Sequence, residues 1–225
     1  ELPEPVKQAA LADVLLVTKT DLAGGNAVAA LEQRLAKVNP SATVREVVNG
    51  KISPDELFGF VKADPVASPE LLGKWLDAEA FEAKAHQHGH DHDHHHHEHA
   101  HQGAHGLDPN RHCDRIRAFC IKFDQPIAMS ALQRWLQSIT SLRGADLLRM
   151  KGILNLEGED RPVVLHGVQH VFHPPERLAE WPKGHDRQSR LVFILRDLDR
   201  AVVEEGLAAF LQAARDKAAL ASGTA

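Results

Sequence analysis

The chain has 225 residues, a formal net charge of −5, 43% hydrophobic and 25% charged residues, a composition that fits one large or two small globular domains. The acidic balance argues against nucleic acid as a partner, no apolar run approaches the ~20 residues of a membrane span, and Glu1–Asp13 lacks the basic and apolar regions of a signal peptide. Two cysteines, Cys113 and Cys120, make no disulfide framework, so a reducing, cytoplasmic setting is expected.

Asp13–Thr18 reads DVLLVT, a continuous apolar run of the kind found in a parallel strand buried on both faces. Gly24, Gly25 and Asn26 interrupt the chain. Val28, Leu31, Leu35 and Val38 then recur at helical spacing, predicting a helix over Ala27–Asn39. Thr43–Val48 is a second β-branched run. Ser53-Pro54-Asp55-Glu56 predicts a helix start, with Ser53 and Glu56 as a capping box and Pro54 at the first turn. Residues 1–62 thus read strand–helix–strand–helix, the grammar of a doubly wound parallel sheet. Two such strands need neighbours. Either the sheet begins upstream of Glu1, or the C-terminal half completes a small α/β domain.

Residues 63–115 form a linker. It opens with Asp64-Pro65 and Ser68-Pro69, passes a short helical stretch around Leu71, Leu72, Trp75 and Leu76, and becomes low-complexity. Of the 16 histidines, 11 fall between positions 86 and 105: His86, His88, His90, His92, His94, His95, His96, His97, His99, His101 and His105, interspersed with Asp91, Asp93 and Glu98. Neutral imidazole is a ligand for Zn²⁺, Co²⁺ and Ni²⁺, and one Zn²⁺ takes about four ligands. The tract therefore offers degenerate metal capacity in place of one defined site. A solvated spacer or a purification tag are the alternatives. The internal position and mixed composition speak against a tag.

From Ile116 the pattern is globular again. Ile116–Phe123 reads as a strand. Leu132, Trp135, Leu136, Ile139 and Leu142 mark an amphipathic helix, with Ser130 and Gln133 as a second capping box. Asp146–Leu156 and Pro162–Phe172 read as antiparallel strands joined by the turn Glu157–Asp160. Leu191–Leu195 is a further strand. Val202, Val203, Leu207, Phe210 and Leu211 give a last helix. The order β-α-β-β-β-α predicts an α+β domain over 116–213, an antiparallel sheet with helices on one face, and a frayed tail over 214–225. His166 and His170, with period-2 spacing, would share a strand face, as a polar surface, a metal pair or, more ordinarily, as histidines satisfied by backbone partners.

Thr18-Lys19-Thr20-Asp21 sits at the C-terminal end of the first strand, where open α/β sheets bind ligands. It is similar to the guanine-specificity motif Asn-Lys-x-Asp. A carboxylate can accept hydrogen bonds from guanine N1–H and the exocyclic N2 amine, a pair adenine does not offer. Thr18 departs from asparagine but keeps a hydroxyl. Asn49, after the next strand, is a second candidate for the base, or only a turn residue. No G-x-x-x-x-G-K-[ST] phosphate loop occurs among the 225 residues, so the chain alone is not expected to hydrolyse GTP.

Together these stretches resemble the CobW family of P-loop GTPases. The likeness is carried by Gln8–Leu22 (QAALADVLLVTKTDL), Arg149–Leu154 (RMKGIL) and Arg161–His170 (RPVVLHGVQH). It implies a cytoplasmic metallochaperone whose GTP state controls delivery of zinc or cobalt to a client metalloprotein, as in cobalamin biosynthesis. Residues 1–62 would then be the end of a GTP-binding domain and 116–213 the CobW C-terminal domain. GTP and Mg²⁺ would bind through Thr18, Lys19, Asp21 and Asn49 only with the rest of that domain. The family's phosphate loop, switch regions and Cys-x-Cys-Cys motif would precede Glu1. A metal-buffering or client-docking module without hydrolysis is the alternative, and a homodimer is left open.

Overall fold

The computed structural model describes residues 4–57, 115–181 and 184–222. The His86–His105 tract and Cys113 lie outside them. The N-terminal segment runs α1 (Glu4–Leu11), β1 (Val14–Thr18), a 3₁₀ turn (Thr20–Leu22), α2 (Gly25–Val38) and β2 (Thr43–Val47). β1 and β2 pair in parallel, Val14 opposite Thr43 and Thr18 opposite Val47. Residues 54–57 are helical, and the first capping box is formed. Glu56 N–H donates to Ser53 Oγ at 3.0 Å, and Ser53 N–H to Glu56 Oε2 at 3.0 Å. α2 begins two residues earlier than its spacing predicts, and α1 was not foreseen.

The C-terminal unit runs β3 (Ile116–Phe123), α3 (Met129–Arg143), β4 (Leu147–Leu154), β5 (Val163–Val168), β6 (Val171–Phe172), β7 (Glu176–Arg177), β8 (Ser189–Arg196) and α4 (Arg200–Ser222). Its sheet has the order β3-β8-β4-β5-β6, with β7 also on β5, and every pair is antiparallel. The two sheets are separate: β1 and β2 do not complete the C-terminal one.

Alternation explains the layers. On one face Phe119, Ile121, Leu147, Met150, Leu154, Leu191 and Phe193 pack under α3 and α4, which bury Leu132, Trp135 and Leu136, and Val203, Leu207 and Leu211. Phe193 is the centre, 5.7 Å from the Phe119 ring and edge-on to Trp135 at 5.8 Å. β4 must pass close to β8: a Cβ on Gly152 would stand 2.9 Å from the Arg190 carbonyl oxygen.

The opposite face is covered too. Cys120, Ile153, Val164 and Val192 pack under Leu178 and Trp181, while Ile116, Leu148 and Ile194 meet Ala9, Ala10, Leu35 and Val38 of the N-terminal segment. The helices on one face agree with the pattern read from sequence, but part of the second face is closed by residues assigned to another domain.

Three local expectations are corrected. α3 starts at Met129 with Ala128 as N-cap and no side-chain cap, so Ser130 and Gln133 form no capping box. Its entry is fixed instead by backbone pairing, Ile127 N–H to Asn155 O at 2.8 Å and Glu157 N–H to Ile127 O at 3.1 Å. The strand read over Pro162–Phe172 folds back on itself at Gln169 and His170, with Val168 opposite Val171 and Gln169 at φ 54°. α4 continues past Ala213 to Ser222, so the residues read as a frayed tail are helical up to that point.

Candidate functional site

Because β1 and β2 are parallel and in register, the loops that follow them leave the same end of the pair. Thr18 closes β1. Lys19 then takes a left-handed conformation, φ 60°, which turns the chain sharply into Thr20–Leu22. Leu22 N–H donates to Lys19 O at 3.0 Å and Ala23 N–H to Thr20 O at 3.3 Å, so the turn is held by its own backbone. Asn49 and Gly50 are also left-handed, φ 51° and 68°, and Lys51 N–H closes that turn on Val48 O at 3.0 Å.

Thr18, Lys19, Asp21 and Asn49 are all exposed. A hollow of about 410 Å³ lies beside the first loop, lined by Thr20, Asp21, Gly25, Val28, Glu32 and Glu46 among others. Of the four sequence-chosen residues only Asp21 borders it. The structure thus brings the two loops to one end but gathers only part of the expected base-binding set around a cavity.

The histidines of the C-terminal unit sort differently from their spacing. His170 is in the hairpin turn, and the partner of His166 across the strands is His173. Their rings stack at 4.3 Å, and His173 N–H donates to His166 O at 3.1 Å. Burial, with His173, Lys151 and Arg149 nearby, pushes the His166 imidazole below its usual range, partly offset by Asp13. Among the described residues no group of three or more His, Cys, Asp or Glu is placed to hold a metal ion. Cys120 is buried, its thiol 3.8 Å from Ile121 O, as a core residue.

The strongest polar constellation was not singled out from sequence. Arg149 and Lys151, on β4, are buried at 6% and 2% exposure. Both reach Asp13, the residue before β1: the Arg149 guanidinium pairs with its carboxylate, and Lys151 Nζ lies 2.7 Å from the same oxygen. Burial raises the Asp13 carboxyl, but the two cations outweigh it and hold it below the ordinary range. Burial and the neighbouring Arg149 push the Lys151 ammonium down to about 8, more than the Asp13 carboxylate restores. The available signal was two charges, two residues apart, inside the run LLRMKGIL, whose other members are apolar or glycine.

Residues 116–211 match the family model described as the cobalamin synthesis protein cobW C-terminal domain. They are a CobW C-terminal domain. The match begins at the first residue of β3 and ends within α4. The chain is similar to the zinc chaperone YjiA of Escherichia coli (strain K12), 27% identical over 193 residues, covering 83% of this chain and 48% of that protein. Two solved structures share the fold. A Zn(II)-bound triple mutant of the YjiA GTPase has a TM-score of 0.57 at 23% identity. Zn(II)-bound YjiA GTPase from E. coli has 0.56 at 24%. Each comparison covers 91% of this chain and 54% of the other. The chain spans about half the length of the relatives it matches. No helix among the described residues is long and apolar enough to cross a membrane.

Proposed function

We propose that this chain acts as the C-terminal part of a GTP-dependent metal chaperone that binds zinc or cobalt and delivers it to a client metalloprotein. The observation that carries the reading is the similarity over 193 residues to a zinc chaperone, joined to a tract of 11 histidines between His86 and His105. In this reading the tract collects metal, the CobW C-terminal domain presents a folded surface to the client, and Thr18, Lys19, Asp21 and Asn49 contribute to guanine recognition once a phosphate loop and Mg²⁺ site are supplied. A bidentate carboxylate at Asp21 would select guanine over adenine, because only guanine offers two adjacent donors. The chain alone binds metal and does not turn over GTP.

Calorimetric titration of Zn²⁺ into the chain and into a variant lacking residues 86–105 tests this. The intact chain takes up more than one ion at about pH 7.5 and fewer at about pH 5.5, below the ordinary imidazole pKa of ~6.5. The deletion removes most of the uptake and leaves the C-terminal domain folded by circular dichroism. Equal stoichiometry in both proteins would place the metal elsewhere and sink the proposal.

A further inference from the structure

The junction between the N-terminal segment and the C-terminal sheet is built from side chains that reach across it. α1 ends with carbonyls that its own helix cannot satisfy. Asn39, at the C-cap of α2 and 1% exposed, donates from Nδ2 to Ala9 O at 2.9 Å, Ala10 O at 3.2 Å and Ala12 O at 2.8 Å. Its Oδ1 accepts from Ser41 Oγ at 2.7 Å, which fixes the amide's orientation. Gln8 O accepts from Ala12 N–H at 3.1 Å, and the remaining carbonyl, Leu11 O, accepts from the Arg149 guanidinium. The negative end of α1 is therefore capped by a cation that belongs to the other unit.

Asp13 lies two residues beyond Leu11. Its carboxylate holds Arg149 and Lys151, and its carbonyl accepts from Thr43 N–H at 2.9 Å. One residue ties β4 of the C-terminal sheet to the start of β1 and to β2. β1 is five residues long and ends in the loop Thr18–Leu22. The asymmetry of burial matters. The cations are 7% and 2% exposed by side chain, whereas Asp13 is 56% exposed. If Asp13 leaves, two desolvated cations lose this carboxylate, which strongly favours the closed arrangement; yet water already reaches Asp13, so the contact can open without dismantling the core.

We propose that Asp13, Arg149 and Lys151 form a latch between the units, through which the loop Thr18–Leu22 and the C-terminal sheet are coupled. Opening the latch loosens β1 and the loop while the C-terminal core stays intact. By linkage, a ligand that orders the loop tightens the latch to the same degree. The coupling itself stands on these contacts. Only its use in sensing a guanine nucleotide rests on the function proposed above, so the test needs no nucleotide.

Hydrogen exchange is followed by mass spectrometry on the full chain and on Lys151→Met, Asp13→Asn and the charge-swapped pair Asp13→Lys with Lys151→Glu. Lys151→Met keeps an apolar stem and folds even if Asp13→Asn does not. Exchange over residues 14–22 should quicken about tenfold or more in the single variants, as when a partly buried ion pair is broken, with β8 amides unchanged. The swapped pair should recover much of the protection, because a glutamate at position 151 faces both Arg149 and the new lysine. Unaltered exchange over 14–22, equal acceleration in β8, or a swapped pair no better than the single variants would each overturn the latch. Guanine binding plays no part in this test, because the base is expected to bind only once a phosphate loop and Mg²⁺ site are supplied, so the latch stands or falls on the exchange pattern alone.

Discussion

β1 and β4 are similar as strings, VLLVT and LLRMKGIL, and opposite in circumstance. All eight residues of β4 are buried, two of them charged. In β1 only Val17 is buried, and Leu16 is 39% exposed. The C-terminal unit closes a core between its sheet and two helices. The N-terminal segment has two strands among the described residues, and much of what it buries lies against the C-terminal sheet through Ala9, Ala10, Leu35 and Val38. Apolar character marks a strand as fit for burial. Whether it is buried depends on neighbours, and charge can be buried where a partner comes from outside the strand.

The largest effect that can break this contrast is in the C-terminal core. Phe193 is 0% exposed and fills the space between Phe119 and Trp135. Phe193→Ala should cost about 3–5 kcal/mol in denaturant unfolding of the C-terminal unit, from lost transfer energy and a cavity. A cost below ~1.5 kcal/mol, the scale of a tolerated core repacking, would mean that the ring is not the keystone of that core.

The latch gives the next effect, through pH. The folded state holds the Lys151 ammonium at about 8, whereas the unfolded chain has the ordinary value of 10.5. Between these values the unfolded chain binds more protons, so this group's contribution to stability rises with pH across the window about 8 to 10.5. At neutral pH both states carry the charge and the burial cost is borne in full. Urea midpoints from about pH 7.5 to 10 should show the rise, and Lys151→Met should flatten it by up to ~3 kcal/mol. An identical profile in the variant would mean that Lys151 is hydrated in solution. At the acid end, His166 is depressed mainly by burial, so its stabilising contribution is present above about 6.5 and is lost as pH falls toward its folded value.

The C-terminal architecture was legible in the sequence because its signals are local. Period-2 strands, helical spacing from Leu132 to Leu142, and the turn Glu157–Asp160 each fix an element within a few residues. The capping box at Ser53 formed, with Glu56 N–H donating to Ser53 Oγ and Ser53 N–H to Glu56 Oε2. The one read at Ser130 did not, because backbone pairing of Ile127 with the end of β4 begins the helix earlier. α1 was hidden for a physical reason: eight residues are too few to be helical alone, and their partners are Asn39 and Arg149, 30 and 138 residues away at the contacts. The loop Thr18–Asp21 was found at the end of its strand as expected. The hollow beside it, bordered by Glu32 and Glu46, depends on how α2 and β2 pack and has no local signature.

The smallest expected effect sharpens the opening contrast. Leu16 lies in the middle of β1 and would be a core residue if that strand were covered on both faces. At 39% exposure, with only β2 hydrogen-bonded to β1 among the described residues, it buries about three-fifths of its surface, less than a core leucine does. Leu16→Ala should therefore cost about 1–2 kcal/mol in the same denaturant experiment that reads Phe193→Ala, in line with a partly exposed site and below the 2–5 kcal/mol of a fully buried leucine. The measurement should be made at two protein concentrations. If β1 meets only solvent on its open side, the cost is small and independent of concentration. A cost approaching that of Phe193→Ala, growing with concentration, would show that a second copy of the chain covers the strand in solution. The difference between β1 and β4 would then belong to the isolated chain and would disappear in the assembly.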